Sequence, residues 1–106
     1  MKIIIVGGGK VGYTLAQQLS TEDHDITLVD NDAEVLTHAD ETLDIMCIKG
    51  NGASAEILKS AGIDETDILL AVTDSDELNM ICCVIGKKLG AKHTVARVRN
   101  TDYSDE

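Results

Sequence analysis

Gly7-Gly8-Gly9-Lys10-Val11-Gly12 carries the spacing G-x-G-x-x-G, and the chemistry this spacing serves is the holding of a pyrophosphate. Gly7 permits a tight turn, Gly9 lets a phosphate approach the backbone, and Gly12 lets the following helix pack closely on a sheet. The free N–H groups and positive dipole end of that helix attract an anion even in an acidic chain. Asp30 stands 18 positions beyond Gly12, where a carboxylate accepts both hydroxyls of an adenosine ribose. Each signal alone has an ordinary reading: glycine clusters make turns, and Asp30 precedes Asn31, which has the spacing of a helix cap. Together they point to an adenosine nucleotide. A ribose 2′-phosphate would face Asp30 and Asp32 without a nearby arginine, so like-charge repulsion favours NAD(H) or an adenine mononucleotide over NADP.

Three further segments fall at the same edge. Gly50-Asn51-Gly52-Ala53-Ser54 is either a loop that lets its backbone approach a flat base or a plain strand-to-helix turn. Thr73, Asp74 and Ser75 close the fourth strand beside the expected reversal of strand order, where open α/β sheets bind ligands. Asp74, Asp76 and Glu77 have the chemistry to hold a cation, but acids in a first helical turn ordinarily complement the dipole. Arg97 and Arg99 share a strand face, so either is a candidate for a second phosphate. A proton-transfer group for hydride chemistry is not evident. His24, His38 and His93 all fall away from the ligand edge, Cys82 lies on the apolar stripe of a helix, and Cys47 alternates within a strand.

The elements that must position these residues follow from apolar periodicity. Strand-length runs recur at Lys2–Val6, Ile26–Val29, Asp44–Ile48, Ile68–Val72 and Thr94–Val98, near-continuous as in strands buried on both faces. Between them Val11, Leu15, Ala16 and Leu19 share one helical face, and Leu78, Ile81, Cys82, Ile85 and Leu89 another. Asn31 with Glu34, and Asp74 with Glu77, have the spacing of a cap and its partner three residues on. Gly62 and Gly90 suit helix stops. The alternation predicts an α/β fold: a Rossmann-like doubly wound parallel sheet of order 3-2-1-4-5 over residues 1–100, with a tail at 101–106, expected to be unstructured from Asn100. The topology reads as truncated before a sixth strand, which would leave a sheet face uncovered for self-association.

Composition narrows the function. The 106 residues carry 19 acids against 9 bases, a formal net charge of -10, yet 43% are hydrophobic; a mean hydropathy of +0.01 is that of a folded chain. The charge opposes a protein that coats nucleic acid, and two Tyr with no Phe or Trp leave few platforms for stacking unpaired bases. Three cysteines without CxxC spacing suggest neither a disulfide framework nor a zinc site and suit a reducing compartment. The apolar run Ile3–Gly9 is too short to span a membrane and lacks a signal-type cleavage segment, and Lys2 breaks the myristoylation pattern.

With these residues assembled, the chain resembles the N-terminal nucleotide-binding domain of the TrkA family of potassium-uptake regulators, the KTN or RCK domains. The resemblance runs nearly end to end, through Met1–Ile5 into the glycine loop, Asp25–Asp30, Gly50–Ser54, Ala61–Ile63, Asp67–Thr73, Asp76–Met80 and Ala96–Asn100. It implies a cytoplasmic regulatory subunit, peripheral to the membrane through its partner, that binds NAD(H) or ATP/ADP. Such a subunit controls a membrane potassium transporter by changing conformation, performs no chemistry, and assembles as a homo-oligomer in its full-length form. It also implies that Gly7, Gly8, Gly9, Lys10, Val11 and Gly12 hold phosphates, Asp30 and Asn31 the ribose side, Asn51 and Gly52 the adenine side, and Thr73, Asp74, Asn79 and Arg97 the rest. Asn51 departs from the aspartate frequent there. Two other readings compete: the cofactor-binding half of an NAD-dependent oxidoreductase, and an interaction module with a vestigial loop.

Overall fold

A computed structural model of the chain describes residues 1–103. Five strands, β1 (Lys2–Val6), β2 (Asp25–Asp30), β3 (Met46–Lys49), β4 (Ile68–Ala71) and β5 (His93–Ala96), alternate with four helices. These are α1 (Lys10–Ser20), α2 (Ala33–Thr42), α3 (Ala55–Ser60) and α4 (Asp76–Leu89); 3-10 turns follow at Ile63–Glu65 and Thr101–Tyr103. The sheet is wholly parallel with order β3-β2-β1-β4-β5, as the apolar pattern predicts.

Side-chain alternation in β1 divides the core. Ile3 and Ile5 join Leu28, Ala16, Leu36 and Ala39 under α1 and α2, while Ile4 and Val6 join Leu58, Leu69 and Cys82 under α3 and α4. Both faces of β1 are therefore dry, which is why its sequence is an unbroken apolar run. The register sets Ile5 beside Leu28 and Leu70, so the central strands end level and their loops emerge at one edge. Midway along β2, opposite Ile4, Thr27 Oγ1 is buried without a hydrogen-bond partner among the described residues.

The edge strands depart from expectation. β3 begins at Met46, not Asp44, because its ladder with β2 opens at Thr27 opposite Met46. β5 ends at Ala96, not Val98, since its pairing with β4 stops where Ala71 meets Ala96. Val95 lies half exposed on the face that α1 and α2 cover elsewhere. Two caps also shift by one residue. Asp32, not Asn31, caps α2 by accepting from Glu34 N, and Ser75, not Asp74, caps α4 by accepting from Leu78 N. The chain does turn at Gly62 and Gly90, after α3 and α4. Beyond β5 it is ordered through Tyr103, where the sequence suggested an unstructured end; the rest of the expected 101–106 tail lies outside the described residues.

Candidate functional site

The carboxyl ends of β1, β2 and β4 open into a cleft of about 460 Å³, within the range that holds a small organic ligand. Its aliphatic floor is Val6, Val29 and Val72. On one side the chain leaves β1 through Gly7, whose φ of +108 is a left-handed conformation and whose N–H donates to Val29 O at 2.8 Å. A side chain there would lie 2.9 Å from Thr73 N. Gly9 then opens α1, and a Cβ added to it would meet nothing within 4 Å. Gly12 is the opposite: its Cβ would fall 1.6 Å from Gly7 O. The spacing predicts close packing of helix on sheet at Gly12; the tightest approach is instead helix on glycine loop.

The start of α1 differs electrostatically from the other helix starts. Asp32, Ser54 and Ser75 cap α2, α3 and α4 with side-chain oxygens, and each of those helices carries an acid in its first turn. Gly9 offers no cap and the first turn of α1 holds no acid. The start of α1 therefore keeps an uncompensated dipole where Gly9, Lys10 and Val11 line the cleft.

Opposite this positive end lies Asp30. Its Oδ2 accepts from Gly8 N at 2.6 Å and its Oδ1 from Asp32 N at 2.8 Å. These two bonds lock the carboxylate plane and tie the glycine loop to the end of β2, while each oxygen keeps a lone pair for a hydroxyl donor. Asn31 lines the cleft beside it.

On the far side Thr73, Asp74 and Leu78 line the cleft, and Arg97 reaches it from beyond β5. Of the two arginines, Arg97 lines the cleft, whereas Arg99 Nη2 donates to Asp74 O at 2.8 Å. Arg97 Nη1 stands 3.9 Å from Asp74 Oδ1, whose side chain is 98% exposed, so this ion pair is loose and water-screened.

Four residues expected at the site do not line the cleft. Gly8 packs instead toward α2, its Cβ position 2.5 Å from Val35 Cγ1, and Gly12 packs on the loop. Asn51 Oδ1 accepts from Ala53 N and shapes the turn that leaves Gly50 and Gly52 at the cleft wall. Asn79 is wholly buried and bonds to Thr73 and to Arg97 O. Asp76 and Glu77 are also engaged within the fold. Asp76 accepts from Arg99 N and Asn100 N, and Tyr103 Oη donates to Glu77 Oε2 at 2.6 Å. These donors hold both carboxyls below their ordinary range.

The histidines stand elsewhere: His24 at the N-terminal amine, His38 stacked on Tyr13 with ring centroids 5.1 Å apart, and His93 at the open end of β5. Burial first, and then neighbouring Cys83, push the Cys82 thiol up to about 12, so it is a core thiol and not a thiolate.

Comparison with known proteins fits this architecture. Residues 3–106 match the model of the TrkA-N domain. The chain belongs to the TrkA-N domain family. It is 46% identical over its whole length to the Trk system potassium uptake protein TrkA of Haemophilus influenzae. Over 97% of its length it is 47% identical to the protein of that name from Halomonas elongata. It spans 23% of each of those relatives. Among solved structures, the Kef CTD of Shewanella denitrificans in AMP-bound form superposes with a TM-score of 0.74 at 18% identity, covering 89% of this chain and 56% of that one. The GsuK channel bound to NAD gives 0.74 at 21%, covering 84% and 16%. A short-chain dehydrogenase/reductase family oxidoreductase from Aeromonas hydrophila gives 0.66 at 17%, covering 82% and 51%. These likenesses establish the fold.

Within this TrkA-N domain, sequence reasoning missed the aliphatic walls Val35 and Leu78 as site residues. Both sit in the first turn of the helix that follows a strand ending at the cleft. That position was the available signal: first-turn side chains after β2 and β4 lean over the loops N-terminal to them.

Proposed function

We propose that this TrkA-N domain is a nucleotide-binding regulatory module of potassium uptake whose cleft takes NAD(H) or ATP/ADP. The observation that carries the reading is the pairing across one cleft of an uncapped, acid-free helix start with the locked carboxylate of Asp30. The donors of Lys10 and Val11 suit phosphate oxygens, and the open space over Gly9 admits them. Asp30 suits the ribose hydroxyls, and Gly52 with the aliphatic floor suits a flat base. Beyond the first phosphates, Thr73 and Arg97 meet whatever distinguishes one nucleotide from another. The nucleotides in the likened structures support the same class of ligand, and the relatives' names support the role in potassium uptake.

The function follows as differential binding. A nucleotide shifts a packing equilibrium in the whole protein only by its difference in affinity between two arrangements. The partner we infer is a membrane potassium transporter subunit, engaged at the cytoplasmic face by a homo-oligomer of the full-length protein. The charged side chains that line the cleft, Lys10, Asp30, Asp32, Asp74 and Arg97, are assigned in this reading to holding a nucleotide and not to proton transfer. The oxidoreductase reading draws on the likeness to the reductase fold.

The test is a fluorescence titration with NADH, displaced by ATP and ADP, on the wild type and Asp30→Ala. Saturable binding that the variant loses supports the reading. Absence of binding by every nucleotide refutes it, and sustained NADH oxidation across a panel of carbonyl compounds would move the assignment to the oxidoreductase.

A further inference from the structure

Asn79 is wholly buried one turn into α4, an environment in which an amide is costly unless every polar atom is used. All are used, and all on two residues at the cleft rim. Its Oδ1 accepts from Thr73 N at 2.9 Å and from Thr73 Oγ1 at 2.6 Å. Its Nδ2 donates to Thr73 O at 3.1 Å and to Arg97 O at 2.8 Å. Thr73 leaves β4 and Arg97 leaves β5, and the ladder between those strands ends at the pair Ala71 and Ala96. One further backbone bond, from Arg97 N to Ala71 O, carries the pairing just past it. At the rim itself, one amide side chain replaces the sheet.

Asp76, three residues earlier on the same helix, completes the grip. Its carboxylate accepts from Arg99 N at 3.1 Å and Asn100 N at 2.7 Å. Asn79 therefore fixes the residue whose guanidinium enters the cleft, and Asp76 fixes the chain immediately after it. Between them the two side chains hold the backbone of the segment that carries both arginines.

We propose that Asn79 and Asp76 are positioning residues that set the distance of Arg97 and Thr73 from the distal phosphates of a bound nucleotide, and so govern discrimination by phosphate number. This rests on the adenine-nucleotide reading of the cleft. Neither residue touches the ligand. Asn79 acts through Thr73 and the carbonyl of Arg97, and Asp76 through the N–H groups of Arg99 and Asn100; neither side chain bonds to the glycine loop or to Asp30.

The experiment compares AMP and ATP by calorimetry on the wild type, Asn79→Asp, Asp76→Asn, Arg97→Ala and the Asn79→Asp/Arg97→Ala double variant. Asn79→Asp keeps the size of the side chain but turns a donor into an acceptor facing two carbonyls. Asp76→Asn, which retains one accepting oxygen, is the milder variant and carries the test if Asn79→Asp does not fold. The expected result is a loss of ATP affinity of about tenfold in Asn79→Asp and about threefold in Asp76→Asn, with AMP affinity held within about twofold. Adding Arg97→Ala to Asn79→Asp should then cost little more than either change alone. An equal loss for AMP and ATP, or fully additive losses in the double variant, would overturn the positioning role while leaving the cleft assignment intact. A wild type that binds neither nucleotide overturns the cleft reading and this inference with it.

Discussion

Adding one methyl group at Gly9 and one at Gly12 should have opposite consequences, although the two glycines belong to one motif three residues apart. A Cβ at Gly12 would sit 1.6 Å from Gly7 O, a backbone atom that cannot swing aside, with Val72 Cγ2 at 3.4 Å. Contacts below 3.0 Å do not occur for real side chains, so α1 must slide away from the loop by more than 1 Å or the Gly7 peptide must turn. Overpacking of close-packed interiors costs about 1–3 kcal/mol, and a rigid carbonyl puts this case at about 3 kcal/mol or beyond. For a chain of this size that lowers the thermal midpoint by roughly 12 °C or more. At Gly9 the φ is -70 and nothing stands within 4 Å. Lost unfolded-state freedom favours alanine by about 0.4–1 kcal/mol, and the poorer helix cap offsets it by a similar amount. Gly9→Ala should therefore melt within a few degrees of the wild type, yet place its methyl where the phosphate approaches and cost at least about tenfold in ADP affinity, near 1.4 kcal/mol. Calorimetric melting and ADP titration measure both. A Gly9→Ala chain that binds ADP like the wild type refutes the phosphate site at the start of α1, and a Gly12→Ala chain with an unchanged midpoint refutes the packing argument.

Three further perturbations test other links. Arg97→Ala should narrow the affinity gap between ATP and ADP, because its guanidinium meets the distal part of the cleft; an unchanged gap by calorimetry removes that role. Thr27→Val should raise stability by about 1 kcal/mol, since it replaces a buried hydroxyl that has no partner with a methyl group; a lower urea midpoint would mean that the hydroxyl is satisfied in solution. The Arg99 and Asn100 N–H groups hold the Asp76 carboxyl below its ordinary 3.8. The folded state thus binds its proton less readily than the unfolded chain. Its stabilisation is complete above the ordinary value and is lost as pH falls through the depressed folded value. The gap between the urea midpoints of the wild type and Asp76→Asn, followed from pH 7 downward, should narrow as the medium is acidified below the ordinary value, the repulsion from the chain's net charge being nearly common to both; a gap independent of pH contradicts the linkage.

The legibility of the fold followed burial. β1 and β2 are covered on both faces, so Ile3, Ile4 and Ile5 announce a strand without ambiguity. Alternation with helices then leaves few sheet orders. The edges were harder, because β3 and β5 are half exposed and their ends are set by partners across the ladder, at Thr27 and Ala71, which no local pattern encodes. Caps slipped by one residue where two capping types stand side by side, Asn31 with Asp32 and Asp74 with Ser75. The glycine loop, Asp30, Gly52 and Thr73 were readable as neighbours because parallel strands end at one edge, whereas strand alternation left Arg97 and Arg99 as equal candidates. Asn79 was not readable as a buried brace. In sequence it is one more polar residue in a helix, and only its position between β4 and β5 turns its amide inward.

The most direct test of a ribose-anchored nucleotide cleft is a thermodynamic cycle between Asp30 and the sugar. ADP and 2′-deoxy-ADP are titrated against the wild type and Asp30→Asn. A hydroxyl donating to a charged carboxylate is worth about 1.5–3 kcal/mol. Loss of the 2′-hydroxyl should weaken binding at least about tenfold in the wild type and by less than about twofold in the variant. The same loss in both proteins would contradict it, since the hydroxyl would then be held by something other than Asp30.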